Sequence, residues 1–288
     1  MNEQEYINSP IVKEFIKWLG RKLTIPNSFC HSYTMLKPKQ EWSCNSIYDA
    51  YLKYRWPVNI DEELKRELNI QDNSYDSNAK ALNYYSRSIR QAFISEDNVS
   101  LNHISRQILK WGGVDDKHNL GHLENRKEYL YQDYLEAKRL LTFSVDLSNN
   151  FSSIKMNSGF TKIYAMLFDD FIIYDGRVGA ALGYLVRLFF EEYNLDPPVS
   201  DELAFMWGAA QPVKVPNIPH LRNPSKNGCR FKILVKNTPH TICNIKANWL
   251  VKTIFQSSKF GELSIKTGAM RAFESALFMI GYDLKGAK

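Results

Sequence analysis

Apolar residues recur at helical spacing through most of this chain. Ser9-Pro10 opens the first such run, with a proline at the first helical position and Ile11, Phe15, Ile16 and Leu19 on one stripe. Shorter runs follow at Ile47 to Tyr54 and at Asp61 to Leu68. Asn78 is placed to cap a helix from Ala79 to Phe93. Ser100 is placed to cap another through Leu101, Ile104, Ile108 and Leu109 to Trp111, with Gly112-Gly113 as its stop. Between Leu123 and Leu141, residues Leu130, Tyr134, Ala137, Leu140 and Leu141 fall at helical intervals without Gly or Pro, which predicts one long helix.

Past the polar stretch Ser148-Asn149-Asn150, the spacing predicts a helix from Ile163 to Phe168. Asp175 then stands where an N-cap belongs, ahead of a run through Val178, Leu182, Leu185, Leu188 and Phe189 to Tyr193. That run is apolar on most sides, the mark of a central helix. Ser200 is placed to cap a helix from Asp201 to Trp207. Thr238-Pro239 opens an amphipathic helix through Ile242, Ile245, Trp249, Leu250 and Ile254, and Thr267 opens the last, through Met270, Phe273, Ala276, Leu277 and Ile280. Thr24 to Glu41 reads as a long surface loop, and the Pro-rich stretch Pro212 to Pro224 is too long for a simple connector, a size of loop that often touches a ligand. The best β-signal is Phe231 to Val235. With no solenoid repeat, low-complexity tract or heptad run, the expectation is an all-α chain, mainly α with minor β.

Composition narrows the picture. The 288 residues suffice for one substantial core, and 16 Tyr, 16 Phe and 6 Trp supply many flat rings. Lys and Arg outnumber Asp and Glu by 37 to 31, a balance that favours a polyanionic partner. Met1-Asn2-Glu3-Gln4-Glu5 is polar and acidic, and no apolar run approaches the ~20 residues that cross a bilayer. The expectation is a cytoplasmic monomer without membrane contact. Cys30, Cys44, Cys229 and Cys243 form no C-x-x-C pair, so reduced, buried thiols are expected rather than a disulfide scaffold or zinc ribbon. His118-x-x-x-His122 has the spacing that aligns two imidazoles on a helix, but Gly121 argues against a helix and further ligands are lacking; Cys30-His31 with Cys44 fares no better, and no metal is expected.

Ser158-Gly159-Phe160-Thr161-Lys162-Ile163-Tyr164-Ala165, read with Ile173-Tyr174-Asp175-Gly176-Arg177-Val178, resembles the helix-hairpin-helix DNA glycosylases, in particular their 8-oxoguanine glycosylase-like branch. The resemblance spans roughly Ser100 to Trp207 and includes Ile108-Leu109-Lys110-Trp111-Gly112-Gly113. In that family a tight hairpin ends in Thr-Lys, the Lys opens the second hairpin helix, and an Asp follows at the start of another helix. Thr161-Lys162 and Asp175 match those positions. Two departures stand out: the family hairpin carries two glycines one residue apart where this chain has Gly159 alone, and the spacer from Lys162 to Asp175 is shorter than in eukaryotic-type members. The resemblance implies one glycosylase-like domain over residues 1–288, with two helical lobes around a cleft. Within it, residues 1–99 form an N-terminal helical segment, residues 100–207 a helix-hairpin-helix core, and residues 208–288 the C-terminal loop and helices. The cysteine spacing of the iron-sulfur glycosylases is absent, so no cofactor is expected.

A glycosylase must extrude its base from double-stranded DNA and hold the backbone while it acts. Residues Ser158, Gly159, Phe160 and Thr161, leading into a helix N-terminus, are expected to offer backbone N–H groups to a phosphate. Arg177 is expected to neutralise a neighbouring phosphate or to pair with Asp175. The resemblance implies that Lys162, desolvated between apolar helices, attacks the anomeric carbon, and that Asp175 accepts a proton or stabilises charge on the sugar. If Asp175 acts alone, the enzyme is monofunctional, without a lyase step. Trp111 and Trp207 are candidates to line the base pocket.

Two substrate classes compete. A hypermodified base, such as a substituted cytosine of phage DNA, is preferred by a slim margin over an oxidised purine such as 8-oxoguanine, because the hairpin is altered and the 24–41 and 212–224 segments are extra. Outside enzymology, the alternatives are a non-catalytic DNA-binding module, in which Asp175 only caps its helix, and a helical protein-interaction domain.

Overall fold

A computed structural model describes residues 1–36, 39–143, 145–209, 221–255 and 268–285. Among them the chain is mainly helical, with one two-stranded sheet. The helices are α1 (Glu3–Asn8), α2 (Pro10–Thr24), α3 (Ile47–Leu52), α4 (Glu62–Glu67), α5 (Tyr75–Ile94), α6 (Asn98–Trp111), α7 (Lys117–Asn125), α8 (Leu130–Thr142), α9 (Phe160–Leu167), α10 (Gly176–Glu192), α11 (Thr238–Phe255) and α12 (Ala269–Ile280). No helix of the described residues is long and apolar enough to cross a membrane.

The chain divides into two compact units. Unit 1 gathers Met1–Tyr54, Tyr174–Val235 and Ile242–Lys288; unit 2 holds Arg55–Ile173 and Lys236–Thr241.

In unit 1, α10 packs against α12 and α2, and α12 packs against α3. Twelve residues of α10, from Val178 to Phe190, are buried, as its all-round apolar pattern requires. Thr24 to Glu41, expected as a loop, instead contains most of an antiparallel hairpin, β1 (His31–Leu36) and β2 (Lys39–Cys44), with His31 opposite Cys44 and Tyr33 opposite Trp42. The physical reason is two-residue alternation: His31, Tyr33, Trp42 and Cys44 face the core while Ser32 and Ser43 between them are exposed.

Asp201 to Trp207 makes turns rather than the expected helix. Trp207 N–H donates to the Lys232 carbonyl at 3.1 Å and Leu234 N–H to the Trp207 carbonyl at 2.8 Å, so tertiary partners take the groups a helix would use. Phe231 to Val235 contributes to this one isolated bridge, Trp207 with Ile233, and forms no strand. Most of Pro212 to Pro224, and Thr267, lie outside the described residues.

In unit 2, α5 and α6 pack together and both receive α9, while α7 and α8 lie against α6. The caps differ from expectation. Ser74, not Asn78, caps α5, and Asp97, not Ser100, caps α6 through the Val99 and Ser100 N–H groups. The expected single helix from Leu123 to Leu141 is two. Arg126 ends α7 and forks onto Asp133 of α8 at 2.8 Å through Nε, an ion pair that reaches across the turn. Gly121 lies inside α7 with open space around it, so His118 and His122 do share a helix. Among the described residues, however, no group of three or more His, Cys, Asp or Glu is placed to hold a metal.

Candidate active-site residues

Lys162 is set by unit 2. Asn157 builds the turn that launches α9: its Oδ1 accepts the N–H of Gly159 at 2.8 Å and of Phe160 at 3.0 Å, and its Nδ2 donates to Asn119 Oδ1 at 2.9 Å. Thr161 N–H donates to the Asn157 carbonyl and Lys162 N–H to the Gly159 carbonyl, both at 3.0 Å. The N–H groups of residues 159–162 are therefore taken internally, and Gly159, Phe160 and Thr161 are buried. Where Gly159, Phe160 and Thr161 are expected to offer amides to a phosphate, the Asn157 side chain takes the first two amides and the Asn157 main-chain carbonyl the third. Ser158 is half-buried.

The side chain of Lys162 is removed from water, with 5% of the residue exposed. It lies in the first turn of α9 and reaches back along the helix, so that Nζ donates to the Ser158 carbonyl at 2.8 Å. Its methylene stem passes over Gly112, the C-cap of α6, so closely that a Cβ there would stand 2.5 Å from Cδ and 2.8 Å from Cε.

The end of α6 is itself tied down. Trp56 Nε1 donates to the Trp111 carbonyl at 3.0 Å, Trp111 Nε1 to Asn78 Oδ1 at 2.9 Å, and Asn78 Nδ2 to the Trp56 carbonyl at 2.9 Å. These bonds close a ring among three separate segments. Trp111, expected to line a base pocket, is a core residue of this ring at 4% exposure, its indole N–H spent inside.

Asp175 is set by unit 1. Its extended backbone makes it the N-cap of α10, and Oδ1 accepts from Arg177 N–H at 2.9 Å and Val178 N–H at 3.2 Å. The residue is buried. Backbone presses on this helix start from two sides. Gly208 N–H donates to the Gly176 carbonyl at 3.0 Å, and a Cβ on Gly176 would meet Gly208 Cα at 2.7 Å; a Cβ on Gly281 would strike the Arg177 carbonyl.

Arg177 is half-buried, its guanidinium 4.2 Å from the ring centre of Phe278 and 4.8 Å from that of Tyr282. Burial pulls its pKa down, opposed by the attraction of Asp175. Tyr282 stacks on Tyr33 at 5.0 Å, and Tyr33 on Trp42 at 4.7 Å, so the hairpin β1–β2 supplies the wall behind the cation. Arg222, which no sequence motif singles out, joins the same place: its Nε donates to the Tyr282 carbonyl at 3.4 Å, and burial together with the neighbouring Arg177 pulls its pKa down to about 10. Trp207, the second expected pocket residue, is 2% exposed and donates its indole N–H to the Phe231 carbonyl at 3.1 Å. Like Trp111 it is built into the core.

Comparison of the chain with protein-family models, curated proteins and solved structures finds no match.

Proposed function

We propose that this chain is a DNA glycosylase of helix-hairpin-helix type, of the 8-oxoguanine glycosylase-like branch, which extrudes a modified base from double-stranded DNA and breaks its bond to the sugar. One observation carries the reading: the two positions that the resemblance marks hold ionisable side chains withdrawn from water at helix starts, Lys162 in the first turn of α9 and Asp175 at the N-cap of α10. Withdrawing charged groups from water is costly, and such groups collect where chemistry needs them.

In this reading the Lys162 amine attacks C1′, the C1′–N bond breaks with its electron pair leaving on the base, and the nitrogen gives up a proton to Asp175. The C1′–O4′ bond of this adduct then opens, its electron pair staying on O4′, which takes a proton, and the C1′=N imine so formed permits strand cleavage. A monofunctional variant uses water as the nucleophile with Asp175 alone. With the hairpin amides turned inward, basic side chains take over the phosphate contact, Arg177 and Arg222 first among them. The substrate favoured is a hypermodified cytosine of phage DNA, which makes the role one of defence, ahead of an oxidised purine.

Base release from DNA carrying unmodified, 8-oxoguanine or hypermodified cytosine residues, scored as abasic sites, tests the reading. Asp175→Asn keeps a good N-cap, so folding and DNA binding are expected to persist while release falls by about 100-fold or more. The ordinary cap geometry of Asp175 favours one competing reading, a non-catalytic DNA-binding module. That module binds DNA and releases no base from any member of the panel.

A further inference from the structure

The floor beneath Lys162 makes a demand that backbone conformation does not explain. Gly112 has φ −74 and ψ −5, a conformation open to any residue, whereas its neighbour Gly113 has φ +62. What Gly112 alone supplies is space. A Cβ there would overlap Cδ and Cε of Lys162 and stand 3.3 Å from Val114 Cγ2 on its other flank, while a Cβ on Gly113 would meet only the Trp56 ring, at 3.6 Å. Gly112 cannot retreat easily, because the ring of hydrogen bonds through Trp56, Trp111 and Asn78 holds the end of α6.

We propose that Gly112 is a positioning residue for Lys162: its bare Cα is the bed on which the lysine stem lies, and it fixes the Nζ at the Ser158 carbonyl. The inference rests on the glycosylase reading for its functional meaning, but the packing it asserts is testable without activity. A methyl group at residue 112 drives the stem off its bed and moves the amine away from Ser158, leaving the backbone of α6 unstrained.

Three variants of the full chain separate the possibilities: Gly112→Ala, Gly113→Ala and Lys162→Ala. The first readout is reductive methylation of lysines with formaldehyde and cyanoborohydride, mapped by peptide mass. Lys162 is expected to label slowly in the wild type and at least about tenfold faster in Gly112→Ala, as a buried group brought to the surface. The second is borohydride trapping on duplex DNA holding an abasic site: the Lys162 amine condenses with the C1′ aldehyde, water leaves, and borohydride delivers hydride to the imine carbon to fix a secondary amine.

Trapping is expected in the wild type, absent in Lys162→Ala, and reduced at least about tenfold in Gly112→Ala with DNA affinity and thermal midpoint close to wild type. Gly113→Ala, strained by its positive φ, is expected to lower the thermal midpoint yet keep slow labelling and efficient trapping at Lys162. That pattern excludes general loosening as the cause. Unchanged labelling of Lys162 in Gly112→Ala overturns the proposal. Faster labelling in a protein whose wild type neither releases bases nor traps supports the packing role of Gly112 and overturns the glycosylase reading of Lys162.

Discussion

Replacing Asn78 by Ala removes the keystone of the ring that holds the end of α6. Asn78 is 1% exposed, and its side chain accepts from Trp111 Nε1 at 2.9 Å and donates at 2.9 Å to both the Trp56 and Ser74 carbonyls. The substitution strips the Trp111 indole N–H of its acceptor, and a buried donor without an acceptor costs about 1–3 kcal/mol. Loss of the donor to Trp56 and Ser74 adds about 0.5–1.5 kcal/mol for each bond, and a small cavity adds more. The expected total is about 3–5 kcal/mol for unit 2, a large share of the ~5–15 kcal/mol that stabilises a typical domain.

Trp111→Phe removes the matching donor, and a double-mutant cycle with Asn78→Ala is expected to return a coupling of about 1–2 kcal/mol. Because the chain has two compact units, a single urea transition is a poor measure, and amide hydrogen exchange resolved along the sequence is the better assay. Faster exchange should concentrate at the end of α6 and the start of α5. A loss under about 1 kcal/mol, or exchange at Leu109 to Val114 unaltered, would refute the claim that this ring is what holds Gly112 in place.

Further outcomes follow from the same geometry. Asp175→Ala is expected to lower stability by about 1 kcal/mol through loss of the cap on α10, and Asp175→Asn by a few tenths, read by thermal melting of the two variants side by side. Asn157→Ala frees the N–H groups of Gly159 and Phe160 from their acceptor and should cost about 2–4 kcal/mol in unit 2, measured by exchange at the start of α9. His31 and His122 both have pKa values pulled below the ordinary histidine range, with burial the leading cause. On acidification the unfolded chain therefore takes up these protons first, so stability is full above about pH 6.5 and declines as pH falls towards the folded-state values. Thermal midpoints taken between about pH 7 and pH 5 should fall, and His31→Gln should flatten the profile.

The helical class, and most individual helices, are legible because apolar residues at helical spacing report a buried stripe wherever the partner comes from. Asp175 is legible as a cap for the same local reason: an Asp ahead of an apolar run acts on N–H groups two and three residues away. Asn78 shows where local reading stops. Its amide has the look of a cap, but it sits inside α5 and spends its hydrogen bonds on Trp56 and Trp111, which no short window links. Hairpin β1–β2 is hidden because the sequence around Lys37-Pro38 has a loop composition, and the alternation on either side is only a few residues long. The setting of Lys162 joins residues 112, 158 and 162, and that of Arg177 joins residues 33, 222, 278 and 282. Spacing along a chain does not encode such meetings, so Gly112 is visible there only as a helix stop and Arg222 not at all.

The way the two units share the chain also orders their birth. The residues described above as seating Lys162, from Trp56 through Asn78, Gly112 and Asn157 to Ser158, lie in the uninterrupted stretch Arg55–Ile173. The surroundings of Arg177, two residues after Asp175, are collected from both ends, from Tyr33 on β1 to Tyr282 past α12. A ribosome delivers the chain from its N-terminus, and domains fold as units while synthesis continues. The residues named as seating the lysine are thus all present in the nascent chain while residues that surround the start of α10 still await polymerisation.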